Sequence, residues 1–318
     1  MSAASDLKDF SCSDFGELVE LCAEFYEINA EKLRWGNVLE RRVDLSRFVK
    51  KFHKDCGTLT SSVQEAIEGL KEDPCIVLMT AHQPNLFPYS GVLRKATLNF
   101  VLAKKLEKRL GVRVINFFGI ADQDFTDDTW VKSSQLPAVT RREGILTLDI
   151  RLPEKLTLNR VPKPPLDFLK HWKAEIEGWL NSAVGSVDRL SKRFGLPRLN
   201  SQKDILYGNF RAFWGMVEEA YERSTTYSDF NAFIISKIVN EAWEYDTLFS
   251  RFSECQQIFA QEFAYLLSRF REYSEFMREA TELLIEKGVG KGVSEQEYKL
   301  APFWYHCDCG SKVRLFLE

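Results

Sequence analysis

Two short polar segments hold the residue types that could do chemistry. Thr80-Ala81-His82-Gln83-Pro84-Asn85 leads on to Tyr89-Ser90-Gly91, and Asp122-Gln123-Asp124 comes later in the chain. The first gathers an imidazole, two carboxamides, a phenol and hydroxyls just ahead of a predicted helix, whose free N–H groups attract anions. The second places two carboxylates with no local cation beside them. Such a pair repels, which raises one pKa unless a metal ion or a substrate ammonium neutralises it. A plainer reading is also open: His82 and Asn85 cap the loop, and Asp122 and Asp124 cap the next element, with Asp124 starting a helix near Thr126.

The elements that must position these segments are legible. CIVLMT (75–80) and VRVINFFGI (112–120) are short apolar runs, which predict strands buried on both faces. Between them Leu93, Ala96, Phe100, Ala103, Leu106 and Leu110 recur at helical steps from Val92 to Leu110, with Lys and Arg filling other positions. Gly111 follows a basic last turn and predicts a left-handed stop. The unit is therefore β-loop-α-β with a right-handed crossover. In that arrangement ligands sit beyond the carboxyl ends of the strands, where both polar segments lie.

MTAHQPNLFPYSG, LRKATLNFVLAKKLEKRLGV and NFFGIADQDF resemble the amino-terminal nucleotide-binding half of the bacillithiol-synthesis cysteine-adding enzymes. Lys95-Ala96, Leu102 to Glu107, Leu110-Gly111-Val112 and Asp124-Phe125 match in order and spacing, as do Gln83, Leu86 and Phe87 in the loop. Ala81 and His82 stand where that family has Gly and Gln. The loop HQPNLFPYSG is also similar to the WbqC-like proteins. The resemblance runs from Cys75 to Phe125 and thins beyond.

It implies an α/β fold: a Rossmann-like parallel sheet of the synthetase or nucleotidyltransferase kind, with helical additions. The implied activity is that of a ligase or nucleotidyltransferase joining an amino acid or small polar substrate to an acceptor such as an amino-sugar conjugate, with ATP or ADP and Mg²⁺. In that reading His82 and the amides at the start of the helix hold phosphate, with Tyr89 and Ser90 beside them. Lys95 supplies positive charge, and Thr80, Gln83 and Asn85 orient the substrate. Asp122 and Asp124 bind an amino or hydroxyl group or Mg²⁺. Phosphoryl and acyl transfer need charge stabilisation more than a protein nucleophile, in keeping with a chain that shows no serine or cysteine nucleophile motif. The alternative is a non-catalytic nucleotide- or ligand-binding scaffold.

With 318 residues, 45% of them hydrophobic, the chain can bury a full core. A net charge of −3 argues against general affinity for nucleic-acid backbone or anionic lipid. The first residues lack a basic and apolar leader, and no run is long enough to span a membrane, so a cytoplasmic protein is expected. Seven scattered cysteines fit reduced thiols.

Four regions are predicted. Residues 1–72 read as helices, with a basic stretch from Arg41 to Lys54. Residues 73–240 form the Rossmann-like core with insertions. One insertion is a hairpin in VTRREGILTLDIRL turning at Arg142-Glu143-Gly144; others are helices with apolar faces at Trp172, Ile176, Trp179 and Leu180 and at Phe210, Phe213, Trp214 and Val217. Residues 241–288 carry a heptad run from Phe249 to Leu284, expected as one long coiled-coil-like helix that packs within the chain or forms a homodimer. Residues 289–318 begin within a GVGKG linker and contain Cys307-Asp308-Cys309-Gly310 beside His306, which looks like one knuckle of a zinc ribbon; with no second pair downstream, either a distant residue or another chain completes the four ligands, or the sequence ends before the second half, or there is no metal.

Overall fold

The computed structural model describes residues 12–33, 38–126, 128–138, 141–154, 156–195, 200–286, 288, 300–307 and 312–316. Three helices come first: α1 (Phe15–Leu33), α2 (Val38–Cys56) and α3 (Ser61–Gly69). Thr60 caps α3 by accepting a hydrogen bond from the Val63 amide. Then comes the expected β-loop-α-β unit of β1 (Cys75–His82), α4 (Ser90–Leu110) and β2 (Arg113–Ile120). Gly111 ends α4 at φ 66°, with its N–H on the Glu107 carbonyl.

A short helix α5 (Thr129–Lys132) leads into an antiparallel hairpin of β3 (Ser133–Pro137) and β4 (Ile145–Asp149), and a 3-10 turn comes next at Leu158–Arg160. The predicted turn at Gly144 adopts φ 70°. The first strand of the hairpin, however, lies before Val139. Helices α6 (Leu166–Phe194), α7 (Asn200–Arg223) and α8 (Tyr227–Ser236) come after it, and α8 continues as a π-helix at Lys237–Ala242 before β5 (Leu248–Arg251).

The sheet has the order β1-β2-β5, with both pairings parallel. With helices connecting the strands it is a Rossmann-like α/β core. The sequence expectation that both strands are buried on both faces holds for β2, which is central and buried from Val114 to Ile120. It fails for β1, an edge strand on which Met79 is 58% exposed. An apolar run cannot say how many neighbours its strand will have.

The core lies around this sheet. Phe118 on β2 stacks on Phe249 of β5, and Phe52 of α2 also stacks on Phe249. Trp172 of α6 and Trp214 of α7 are fully buried and meet the ring of Phe87. Buried carboxamides fasten α4 to the strands: Asn99 donates to the Leu78 carbonyl and to Asn116, and Asn116 donates to Thr247 just ahead of β5.

The heptad run from Phe249 is not one long helix. Phe249 lies in β5, and Phe252 lies in α9 (Phe252–Cys255). Gln256 and Phe259 occupy a 3-10 turn, and the rest divides into α10 (Ala260–Ser268) and α11 (Phe270–Glu286) with Arg269 between them at φ −118°. Heptad spacing misled because Leu248 and Phe249 are both fully buried but belong to different clusters. Leu248 packs with Val49, Val63 and Ile67, while Phe249 packs with Phe52 and Phe118. That is the signature of a strand covered on both faces.

By proximity the chain divides into two compact units, Arg42–Glu254 and Met1–Arg41 with Cys255–Glu318. The first holds the sheet. The second holds α10, α11 and an antiparallel hairpin of β6 (Leu300–His306) and β7 (Lys312–Phe316). Cys307 follows β6; Cys309, with Gly290 and Gly292 of the predicted linker, lies outside the described residues. Cys12, Cys22, Cys56 and Cys75 are free thiols. Among the described residues no helix is long and apolar enough to cross a membrane.

Candidate functional site

The carboxyl ends of the three strands are His82, Ile120 and Arg251, with His82 opposite Ile120 and Ile120 opposite Arg251. Everything the sequence singled out ahead of Lys95 leaves from this edge. Thr80 sits two residues before His82, on the same face of β1. Beyond His82 the loop turns inward, burying Pro84, Asn85, Leu86 and Phe87 before Tyr89 and Ser90 return to the surface at the start of α4.

The loop is held rigidly. The Leu86 amide donates to the Val131 carbonyl, and Asn85 Nδ2 donates to the Trp130 carbonyl at 3.0 Å. The Phe87 amide donates to Asn231 Oδ1 of α8 at 3.0 Å, and Phe87 itself sits at φ 55°. A phenylalanine in the left-handed region is strained by about 1–3 kcal/mol, and the strain persists only because the surroundings fix it. Here the fixing comes from Asn231 and from a ring buried among Trp172, Trp214 and Phe230.

At the surface end, His82 Nε2 lies 3.0 Å from the Tyr89 hydroxyl, and the Tyr89 ring stacks on Trp130 with centroids 6.1 Å apart. Trp130 is 63% exposed, yet its helix is braced: Asp128 caps α5 through the Trp130 amide. Lys95 is exposed on α4 and close enough to His82 to disfavour the imidazolium. The Tyr89 side chain makes no cap hydrogen bond to the first turn of α4.

The two carboxylates of the acidic segment do not form a pair. Gln83 Nε2 donates to Asp124 Oδ2 at 2.6 Å, tying Asp124 to the His82 loop, and Asp124 Oδ1 accepts from the Phe125 amide. Asp122 turns away: it is fully buried, and its carboxylate accepts from both the amide and the hydroxyl of Ser253 beyond β5. Its pKa is raised, but by burial rather than by repulsion from Asp124, and the Ser253 hydrogen bonds and Arg251 oppose the rise. Asp124 caps no helix near Thr126; the cap belongs to Asp128. Phe125 anchors the segment from a buried position, as its apolar character predicts. The backbone carbonyls of Asp122 and Asp124 receive the amides of Asn159 and Leu158, which straps the 3-10 turn onto this segment.

Sequence reasoning missed Trp130, Asn231, Ser253 and Arg251. Arg251 ends β5 nearly buried, with its guanidinium 2.7 Å from Asp229 and stacked over Phe52. Its position, separated by one residue from the apolar pair Leu248-Phe249 and just before Phe252-Ser253, was the available signal. The heptad reading hid it.

No family model matches the chain. A curated protein of Bacillus cereus (strain G9842), named "Putative cysteine ligase BshC", is 24% identical over 230 residues. The similarity is distant, and it is to a protein of that name. It covers 71% of this chain and 37% of that protein, so the chain matches well under half of its relative's length.

The arrangement discriminates among the cofactors the resemblance implies. Mg²⁺ keeps several waters and needs accessible carboxylate oxygens; Asp122 is buried on Ser253 and does not fit one. Among the described residues no cluster of three or more His, Cys, Asp or Glu side chains is placed to hold a metal ion. Lys95 and the uncapped first turn of α4 suit an anion, and the Tyr89 and Trp130 rings offer apolar faces beside them.

Proposed function

We propose that this chain is a ligase-type enzyme that binds an adenine nucleotide at the carboxyl edge of its sheet and joins an amino acid or small polar substrate to an acceptor, an amino-sugar conjugate being one such. The observation that carries the reading is the convergence, at one strand edge, of His82, Tyr89, Lys95 and the Gln83–Asp124 pair around the start of α4. The distant similarity to a cysteine ligase supports the same class. A bound adenosine phosphate would supply an activated phosphoryl or nucleotidyl group. In this reading Lys95 and the first-turn amides hold the phosphates, while Gln83 fixes Asp124 so that its carboxylate meets a substrate ammonium or hydroxyl. Thr80, Asn85 and Ser90 shape the surrounding wall.

The test is a thermal shift with millimolar ATP, ADP or AMP on wild type and Lys95→Ala. A ligand at a hundred times its dissociation constant adds about 2.7 kcal/mol of apparent stability. Wild type should shift with at least one nucleotide and the variant should shift less. No shift with any of the three would defeat the reading. One observation favours the alternative of a non-catalytic binding scaffold: Asp122, one of the two acids expected to do chemistry, is committed to Ser253. Turnover that is lost in Asp124→Asn, with nucleotide binding retained, separates enzyme from scaffold.

A further inference from the structure

One side chain at this edge has its protons assigned by its neighbours. His82 Nδ1 lies 2.9 Å from the Gln83 carbonyl oxygen. A carbonyl can only accept, so Nδ1 carries the hydrogen, and a neutral ring then has its lone pair on Nε2. The group facing Nε2 is the Tyr89 hydroxyl at 3.0 Å, which must donate to it. The two rings meet edge to face, with centroids 5.5 Å apart. Gly91 is what permits this: a Cβ there would collide with the Tyr89 ring.

The charged groups that bear on the imidazole are Lys95 of α4 and Asp128 ahead of α5. Burial lowers the pKa of His82 from the ordinary value and Lys95 adds to this, against the Gln83 carbonyl, the Asn85 carboxamide and Asp128. The Asn85 oxygen is buried and has no hydrogen-bond partner, so it remains to favour the cationic ring. His82 is therefore neutral near neutral pH and presents a lone pair outward, not an N–H. That polarity is wrong for gripping phosphate, the role the family resemblance suggests, and right for receiving a proton.

We propose that His82 Nε2 is the proton acceptor of this site, capped in the resting protein by the Tyr89 hydroxyl and uncovered when the thiol, amine or hydroxyl of an incoming substrate displaces that hydroxyl. As the nucleophile forms its bond to the acyl or phosphoryl centre of the second substrate, its proton moves to Nε2, and the leaving group departs with the electron pair of the broken bond. The Nδ1–H stays on the Gln83 carbonyl and steadies the imidazolium. The electrophile in this step rests on the ligase reading; the tautomer and the capped lone pair do not.

Two measurements on the full chain decide it. Nitrogen-15 imidazole spectra of wild type should show His82 protonated at Nδ1 and bare at Nε2, titrating below an ordinary histidine; an Nε2–H tautomer overturns the proposal. Diethyl pyrocarbonate acylates unprotonated imidazole, and its rate at each histidine can be followed by peptide mapping. In Tyr89→Phe, which removes the donor and keeps the ring, His82 should be acylated several-fold faster than in wild type, with the exposed His171 unchanged as the internal control. Gly91→Ala, which pushes the Tyr89 ring aside, should do the same. Equal rates at His82 in all three proteins overturn the proposal, and the wild-type spectra decide it if a variant does not fold. Correct tautomer and rates in a protein that no nucleotide stabilises would remove the ligase reading and leave the base standing.

Discussion

Lowering the pH should loosen the sheet-bearing unit through a single histidine. His53 on α2 is fully buried; its Nε2 accepts from the Phe249 amide at 3.0 Å, so its Nδ1 carries the proton and faces Thr58 Oγ1 at 2.8 Å. From there a chain of hydrogen bonds runs through Ser236 to Asn240, which donates to the carbonyls of Tyr245 and Thr247. Every link has its direction set by the two ends, and a second proton on His53 would face an N–H that has nothing to accept with. Burial pulls the pKa down to about 3, with only partial opposition from Thr58. The folded value lies below the unfolded one, so the contribution is complete above the unfolded pKa of about 6.5 and is lost as pH falls through the window down to about 3. At about 1.4 kcal/mol per unit of pH below the unfolded pKa, the loss between pH 7 and pH 5 is about 2 kcal/mol. Urea denaturation at these two pH values, on wild type and His53→Gln, isolates the effect because other titrating groups cancel in the difference. The advantage of wild type over the variant should shrink by about 2 kcal/mol on acidification. If both proteins lose the same stability, His53 is not held neutral and the assigned hydrogen-bond directions are wrong.

Asp122→Ala should destabilise the chain by about 1–3 kcal/mol in urea denaturation, because it strands the part-buried amide and hydroxyl of Ser253; a loss below about 0.5 kcal/mol would show that water replaces the carboxylate and would reopen a functional role for Asp122. Asp124→Asn should leave the midpoint of that transition within experimental error, since Asp124 is only partly buried and its partner Gln83 can still donate to the amide oxygen; a large drop would mark Asp124 as structural. The Phe249–Leu284 run is expected to pack within the chain or form a homodimer, and α11 is the longest helix it contains. Phe276 is 67% exposed there, with Met277 and Ile285 also exposed, so light scattering should report a dimer for wild type and a monomer for Phe276→Glu. A wild-type monomer at micromolar concentration would rule out that surface as a dimer interface.

The β-loop-α-β unit was legible in the sequence because its signals are local. Period, length, the basic last turn and Gly111 all lie within the segment they describe, and the rule that ligands collect beyond strand carboxyl ends then located the candidate site. The sequence also marked the loop as polar and punctuated, since Pro84, Pro88 and Gly91 interrupt a run of hydrogen-bonding side chains. Tertiary structure decided the remainder, because it turned on partners distant in sequence. Whether an apolar run is central or at an edge depends on neighbours, which is why β2 is buried and β1 exposes Met79. The heptad count could not know that Leu248 and Phe249 would be claimed by different clusters on the two faces of the sheet. Asp122 and Asp124 alternate in sequence as if to share a cleft, yet Ser253 takes one and Gln83 the other. His82 changed most: the family resemblance gave it an anion-holding role, and only the fold, by setting the Gln83 carbonyl against one nitrogen and the Tyr89 hydroxyl against the other, points to which nitrogen holds the proton and so what the ring can do.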